Sequence, residues 1–145
     1  MKDSKSAKEK STGPSVFTKI INGQIPAAKV YEDAQTIAFM DAGQVNPGHV
    51  IIATKRQVET ILELEDDEVA ALFRTTARVS RAVQAEFEPA GITILQANKP
   101  AAWQTIPHVH VHVLPRHEND GVNLTWPRKN PPLDELAKLA SRIKV

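Results

Sequence analysis

Three of the five histidines in this chain alternate with valine in one short segment, residues 107–114. Side chains of a β-strand point alternately to its two faces, so His108, His110 and His112 are expected on one face. The valines between them are expected on the other face. Neighbouring imidazoles on such a strand lie roughly 6–7 Å apart. Because a neutral imidazole is a base and a nucleophile near pH 7, this spacing predicts a reaction site.

Two other interpretations of the histidine segment remain open at this level. Two imidazoles on one strand face can bind one metal ion, and His49, His117 and Asp41 are available as further ligands. The histidines can also be the polar face of a strand with no reactive role. Gln104 and Thr105 precede the segment and carry hydrogen-bond donors, which suit a phosphate oxygen or a leaving group better than a metal. They favour catalysis without a metal.

Composition narrows the class of protein before any motif is considered. The 145 residues, 41% hydrophobic and 24% charged, are typical of one soluble globular domain. A net charge of +1 gives no indication of a nucleic-acid partner. The absence of cysteine excludes disulfides, thiol catalysis and cysteine-based zinc sites. No apolar run approaches the ~20 residues of a membrane span. The basic N-terminus lacks the apolar region of a signal peptide. We therefore expect a cytoplasmic protein without a membrane partner.

Local patterns divide the chain into a tail and one domain. Residues 1–14 are rich in lysine and serine without apolar periodicity, which predicts a disordered tail. A long helix begins after its cap at Asp66 and ends before Pro89 and Gly91. Shorter helices are predicted over 16–21, 54–62 and near the C-terminus, after an irregular segment 117–132. The predicted strands cover 29–32, 36–40, 49–53, 92–97 and 109–114. The long helix has an apolar stripe on one face, formed by Val69, Leu72, Phe73, Thr76, Val79, Val83 and Phe87.

Helices and hairpin-like strands do not alternate regularly in this order. The pattern therefore predicts an α+β fold with a mostly antiparallel sheet rather than a doubly wound one.

The segment 104–116, Gln-Thr-Ile-Pro-His-Val-His-Val-His-Val-Leu-Pro-Arg, resembles the signature of the histidine triad (HIT) superfamily. Residues 17–33, 38–41 and 46–49 resemble its upstream blocks, so the resemblance covers about 16–116. It implies a HIT-like fold with a five-stranded antiparallel sheet, one long helix and several short helices. The single domain would comprise residues 15–145, with a C-terminal extension from about 117. The resemblance also implies a homodimer and a reaction that requires no metal.

The resemblance assigns a role to each histidine of the predicted site. His110 matches the nucleophile, which attacks the α-phosphorus of a nucleotide substrate and forms a nucleotidyl-histidine intermediate. His112 matches the residue that contacts the phosphate and the leaving group. His108 matches a member of the hydrogen-bond network behind the site, and His49 matches a histidine that supports the triad.

Further residues match substrate-binding positions. Asp41 matches a carboxylate that binds the ribose hydroxyls, and together with the short N-terminal block it indicates the Hint-like branch. The diadenosine-polyphosphate hydrolase branch has Asn at that position. Thr105 matches a residue that serves the leaving group, and Gln104 lies in the expected phosphate loop. The family has an Asn before that loop, which aligns with Asn98 if one residue is deleted in this chain and with Ala97 if none is. The family positions that line the base pocket are matched by Phe17, Ile20, Ile25 and Phe39.

One departure affects the expected phosphate loop. The family commonly has Gly before the Gln, and this chain has Trp103. A tryptophan does not allow the close backbone approach of a glycine, so we expect a loop of different shape.

Together these observations predict a nucleotide-binding hydrolase that cleaves purine nucleoside phosphoramidates, or related nucleoside monophosphate conjugates, without a required cofactor. The expected partners are a purine nucleotide of the AMP or GMP type and a second copy of the chain, with no nucleic acid and no membrane. The alternatives are a dinucleoside polyphosphate hydrolase or phosphorylase, and a nucleotide-binding interaction module whose catalysis is incidental.

Overall fold

A computed structural model of the chain describes residues 13–145. Three α-helices and five strands form the regular structure of these residues. A 3₁₀ turn precedes the second helix, and another precedes the last strand. The helices are α1 (Val16–Ile21), α2 (Asp66–Phe87) and α3 (Leu133–Ser141), and the strands are β1 (Lys29–Glu32), β2 (Thr36–Met40), β3 (Val50–Thr54), β4 (Gly91–Gln96) and β5 (His110–Arg116).

The five strands form one antiparallel sheet in the order β1-β2-β3-β5-β4. Helix α2 covers one face, where Val111 and Val113 of β5 pack in a buried cluster with Leu72 and Val79. Helix α1 covers part of the other face through Phe17, which packs in a second buried cluster. The predicted α+β class and antiparallel sheet are therefore confirmed.

The register of β5 places its histidines on the α1 side of the sheet. His110 pairs with Ala53 and His112 pairs with Ile51 of β3. Directly opposite residues share a face, and Ala53 and Ile51 belong to the cluster under α1. The alternation of histidine and valine thus places the histidines and the valines of β5 on opposite faces of the sheet, as the sequence predicts.

Two details of the long helix differ from the prediction. The cap is Glu65, one residue earlier than expected, and its side chain forms a capping box with Glu68. The buried stripe is narrower than predicted, because Phe73 and Phe87 are exposed. The ring of Phe87 instead lies over the turn that precedes His49.

The helix predicted over 54–62 is wrong. Thr54 ends β3, and only Ile61–Glu63 forms a 3₁₀ turn. The backbone of this segment is paired with other parts of the chain instead of with itself. The carbonyl of Val58 accepts the N–H of Val109, and the N–H of Lys55 donates to the carbonyl of Gln35.

The C-terminal segment lies outside the sheet and its cores. Residues 117–132 have no regular structure, as expected, and the following helix α3 buries none of its residues. Asp120 fixes the beginning of this segment, because its carboxylate accepts hydrogen bonds from Arg116 and from the N–H groups of His117 and Val122. Within residues 13–145 no helix has the length and apolarity needed to span a membrane. The tail predicted over 1–14 lies outside the described residues apart from Gly13 and Pro14.

Substitution of Gly48 is expected to destabilise the fold. Its φ of +100° suits glycine, and an added Cβ would lie 2.7 Å from a ring carbon of Phe87. Gly48→Ala should therefore lower the free energy of unfolding by about 2–4 kcal/mol, combining backbone strain with overpacking, in urea titrations. Gly91→Ala is the control, because nothing lies within 4 Å of its added Cβ. Equal stability of the two variants would contradict the argument.

Candidate active site

A cleft of about 570 Å³ opens between α1, residues 25–28, β2 and the end of the loop before β5. One wall is apolar and includes Phe17, Ile20, Ile25 and Phe39, which are the four residues predicted for a base pocket. The polar side of the lining consists of groups of Asp41, Thr105, His110 and His112. A cleft with a mostly apolar lining and a few polar groups is typical of a small-molecule site.

His110 lies at the centre of this polar side. Its ring is held between the edges of Phe17 and His112, with centroid distances of 4.9 and 5.0 Å. Its Nδ1 is 2.7 Å from the carbonyl oxygen of His108. A carbonyl only accepts, so Nδ1 carries the proton and Nε2 keeps its lone pair. Burial lowers the pKa of His110, so the ring is neutral near pH 7.

The proton positions of His112 and His49 follow from the same kind of argument. The N–H of Val45 donates to His49 Nδ1 at 3.3 Å, so His49 carries its proton on Nε2. That nitrogen is 2.9 Å from Nδ1 of His112, which must therefore accept. His112 then carries its own proton on Nε2. Burial lowers the pKa of both rings, and the Asp41 carboxylate opposes this effect.

His108 is fully buried and does not line the cleft. Its Nε2 donates to the carbonyl of Thr54 at 2.7 Å, and its Nδ1 is 2.6 Å from the hydroxyl oxygen of Ser15. It precedes β5 in the chain, and its ring still faces Phe17 at a centroid distance of 5.6 Å. Its predicted part in a hydrogen-bond network behind His110 stays a prediction.

Asp41 lies at the cleft with its two oxygens in different contacts. Oδ1 accepts the N–H of Gly43 at 2.7 Å, and Oδ2 lies 3.3 Å from His49 Nε2. Gln44 holds this loop in place: its amide nitrogen donates to the carbonyls of Asp41 and His49, and its amide oxygen accepts the N–H groups of Gly48 and His49. Sequence reasoning missed Gln44, because a single Gln in a turn belongs to no recognisable pattern.

Gln104 and Asn98 lie outside the cleft. The Gln104 side chain is buried, accepts the N–H of Lys99 at 2.6 Å and donates to the carbonyl of Glu59 at 2.6 Å. The Asn98 oxygen accepts the N–H of Ile61 at 2.7 Å. This geometry favours a role for both residues in fixing the loop, and their predicted contact with substrate stays a prediction. Thr105 does line the cleft.

The loop around Trp103 has an unusual backbone. Trp103 has a φ of +77° and Lys99 a φ of +74°, both in the region that favours glycine. Trp103 thus adopts a backbone conformation that glycine would favour, and the expected difference in loop shape stays a prediction. The indole is 62% exposed. Two such residues in five positions mark this loop as strained, a property that clusters at functional sites.

One group of side chains has the composition of a metal site. Ligand atoms of Asp41, His49 and His112 all lie within 4.8 Å of one another. However, the N–H of Val45 keeps the lone pair of His49 on Nδ1, so the Nε2 that faces the cluster carries a proton. A metal would need a lone pair at that nitrogen. The arrangement therefore fits a chain of hydrogen bonds better than a metal ion.

Comparison with known proteins agrees with the fold and with this constellation. The sequence model described as "HIT domain" matches residues 22–119. The Bacillus subtilis protein named "Protein hit" is 39% identical over 112 residues, which is 77% of either chain. Adenosine 5'-monophosphoramidase HNT1 of Candida albicans is 30% identical over 134 residues, covering 89% of this chain and 88% of the relative. The crystal structure of a HIT family protein from Bacillus anthracis superposes with a TM-score of 0.83 at 36% identity, covering 87% and 92% of the two chains.

The fold and site define a class of protein in which one strand of an antiparallel sheet presents histidines to a mostly apolar cleft. The chain belongs to the HIT domain family, and its similarity to named monophosphoramidases places it among the Hint-like enzymes of that family.

The lowered pKa of His110 leads to a prediction about pH. Only the neutral ring has a lone pair on Nε2, and burial holds the pKa of His110 below the ordinary value of 6.5. The rate of a single turnover should therefore persist at pH 6.5 and fall only as the pH drops through the lowered pKa. The single-turnover rate is measured between pH 4.5 and pH 8, a range that extends about 2 units below and about 1.5 units above the ordinary pKa of histidine. A midpoint of the acid limb at or above 6.5 would contradict the prediction.

Proposed function

We propose that this chain hydrolyses purine nucleoside phosphoramidates and related nucleoside monophosphate conjugates, by attack of His110 on the α-phosphorus. The observation that carries the proposal is the set of hydrogen-bond partners of two neighbouring rings, from which their proton positions follow. His110 offers a lone pair on Nε2, and His112 beside it offers an N–H on Nε2. A nucleophile next to a hydrogen-bond donor suits the displacement of a leaving group from phosphorus.

The substrate would occupy the cleft with its base on the apolar wall and its ribose hydroxyls near Asp41. In the first step His110 Nε2 forms a bond to phosphorus while the bond from phosphorus to the amine nitrogen breaks. The departing nitrogen takes its proton from solvent and accepts a hydrogen bond from His112 Nε2, because a neutral His112 that gave up its only proton would become an anion. The carbonyl of His108 stabilises the positive charge that the ring gains, because it already accepts the Nδ1 proton of His110.

In the second step a water molecule attacks phosphorus and releases a proton to solvent, which balances the proton taken up by the amine. The bond between phosphorus and His110 Nε2 breaks, and the nucleoside monophosphate is released. His110 recovers its lone pair and His112 keeps its proton throughout, so the site returns to its starting state. His49 keeps Nδ1 of His112 hydrogen-bonded in both steps, which fixes the ring and its proton position.

The leaving group decides between the two enzymatic alternatives. An amine is a poor leaving group unless it is protonated, whereas a polyphosphate departs as a stable anion, so a positioned N–H donor benefits phosphoramidates most. Similarity to proteins named adenosine 5'-monophosphoramidase supports the same choice. The Asp41 carboxylate, as a pure acceptor, suits the ribose hydroxyls of either substrate.

The substrate class is tested by comparing turnover of adenosine phosphoramidate with that of diadenosine tetraphosphate. We expect at least about a tenfold higher kcat/KM for the phosphoramidate, a difference of roughly 1.4 kcal/mol in the barrier. The assay is repeated with excess chelator, because we propose that no metal cofactor is required, and activity should be unchanged. Preference for the dinucleotide would favour the polyphosphate hydrolase, and loss of activity with chelator would contradict the metal-free mechanism.

The nucleophile is tested by trapping the intermediate. A slow substrate should give a nucleotidyl adduct on His110, detected by peptide mass spectrometry after denaturation. His110→Ala should abolish the adduct and lower turnover by about 1,000-fold or more. His117→Ala is the control, because His117 is exposed and does not line the cleft. Tight AMP binding without turnover or adduct in the unchanged protein would favour the interaction module instead.

We also propose that two copies of the chain pair through β4. This strand ends the sheet and, in the described part of the chain, has a strand neighbour only at β5. Ile94 of β4 and Phe73 of α2 are 43% and 40% exposed and line a shared apolar groove. Unpaired edges with apolar surroundings favour pairing with another chain.

Sedimentation should therefore detect a dimer, and Ile94→Lys should shift it to monomer. Leu62→Lys is the control, because Leu62 is 85% exposed and lies away from this groove. A monomeric unchanged protein, or an unaffected dimer in the Ile94 variant, would contradict the proposal.

A further inference from the structure

Four polar side chains meet behind the cleft, at the start of α1. The hydroxyl oxygen of Ser15 is 2.6 Å from His108 Nδ1, and the hydroxyl oxygen of Thr18 is 2.6 Å from the amide oxygen of Gln57. The N–H of Ser15 donates to the same Gln57 oxygen at 2.8 Å. None of the four lines the cleft, and the proposed reaction gives no task to Ser15, Thr18 or Gln57.

The direction of the central hydrogen bond is fixed. His108 must use its Nε2 proton for the carbonyl of Thr54, so its Nδ1 accepts and Ser15 donates. The Ser15 oxygen also accepts the N–H of Thr18 at 3.0 Å as the cap of α1. One hydroxyl therefore both begins the helix and completes the bonding of a fully buried imidazole.

Two routes lead from this hydroxyl to the nucleophile. The first runs through His108, whose carbonyl accepts the Nδ1 proton of His110 and thereby leaves the lone pair on Nε2. The second runs through α1, which carries Phe17, and the ring of Phe17 contacts the rings of both His108 and His110. Loss of the Ser15 hydroxyl would therefore loosen His110 at two places, its hydrogen bond to the His108 carbonyl and its contact with the ring of Phe17.

We propose that Ser15 is a positioning residue for His110, acting through the ring of His108 and through the start of α1. The inference rests on the proposed role of His110 as nucleophile. Ser15 contacts neither the cleft nor the substrate, so its effect is on the orientation of the nucleophile and not on the chemistry itself. Loss of its hydroxyl would leave a buried acceptor nitrogen on His108 without a partner.

A simple helix cap is the competing explanation, and two substitutions separate it from positioning. Ser15→Gly removes the hydroxyl at only a small cost to helix capping, since glycine is a tolerated cap. Ser15→Thr keeps the hydroxyl and also caps. Thr75→Ala is the matched control, because it removes one buried hydrogen bond, to Thr36, on the α2 side of the sheet.

The experiment measures formation of the nucleotidyl-histidine adduct in single turnovers at saturating adenosine phosphoramidate, with AMP affinity and thermal stability measured in parallel. Ser15→Gly should slow adduct formation by about tenfold or more, while AMP affinity changes by less than the rate does. Ser15→Thr should stay within about threefold of the unchanged protein, and Thr75→Ala should lose stability without losing rate. An unchanged rate in Ser15→Gly would leave only the cap and overturn the proposal.

Long-range ¹H–¹⁵N spectra of the histidines give a readout that is independent of turnover. The unchanged protein should show His108 protonated on Nε2, with Nδ1 shifted by an accepted hydrogen bond that Ser15→Gly removes. A proton on Nδ1 of His108 would overturn the proposal even if the variants fail to fold. If the unchanged protein forms no adduct, the proposed function fails, and these spectra still decide whether Ser15 holds His108.

Discussion

The arrangement of the site depends on backbone groups that fix the protons of buried histidines. A carbonyl opposite His110 Nδ1 and an amide N–H opposite His49 Nδ1 act as an acceptor and a donor whose roles cannot change. From these two contacts follow the lone pair on His110 and the proton on His112. Because both backbone groups belong to the folded chain, the protonation pattern is a property of the fold and needs no bound ion.

Burial makes this pattern stable at neutral pH. The low polarity around the rings of His108, His110 and His112 lowers the pKa of each, so the neutral forms persist. Burial also makes every unmet hydrogen bond costly, on the order of 1–3 kcal/mol for each polar group. Among the described residues no buried side-chain nitrogen or oxygen lacks a partner. The hydrogen bonds of Ser15 to His108 and of Gln44 to the loop of Asp41 and His49 contribute to this pairing.

Much of this site follows from local sequence pattern, and the rest does not. The two-residue period of the histidine segment predicts which face each side chain occupies, and the apolar residues of α1 and β2 predict the cleft wall. The roles of Gln104 and Ser15 depend on partners 45 and 93 residues away, Glu59 and His108. Such contacts leave no periodicity in the sequence. The wrongly predicted helix over 54–62 has the same origin, since its backbone pairs with distant residues.

The strained loop before β5 connects these constraints to catalysis. Lys99 and Trp103 hold conformations that cost them free energy, and such conformations persist only when surrounding contacts determine them. Here those contacts are the hydrogen bonds of Gln104 to Lys99 and Glu59 and of Asn98 to Ile61. They tie the loop to residues 59–61, the segment that the sequence assigned to a helix. That segment is not helical because its backbone groups form hydrogen bonds with the loop, and the same loop places Thr105 at the cleft. One set of hydrogen bonds therefore explains both the absence of the predicted helix and the position of Thr105.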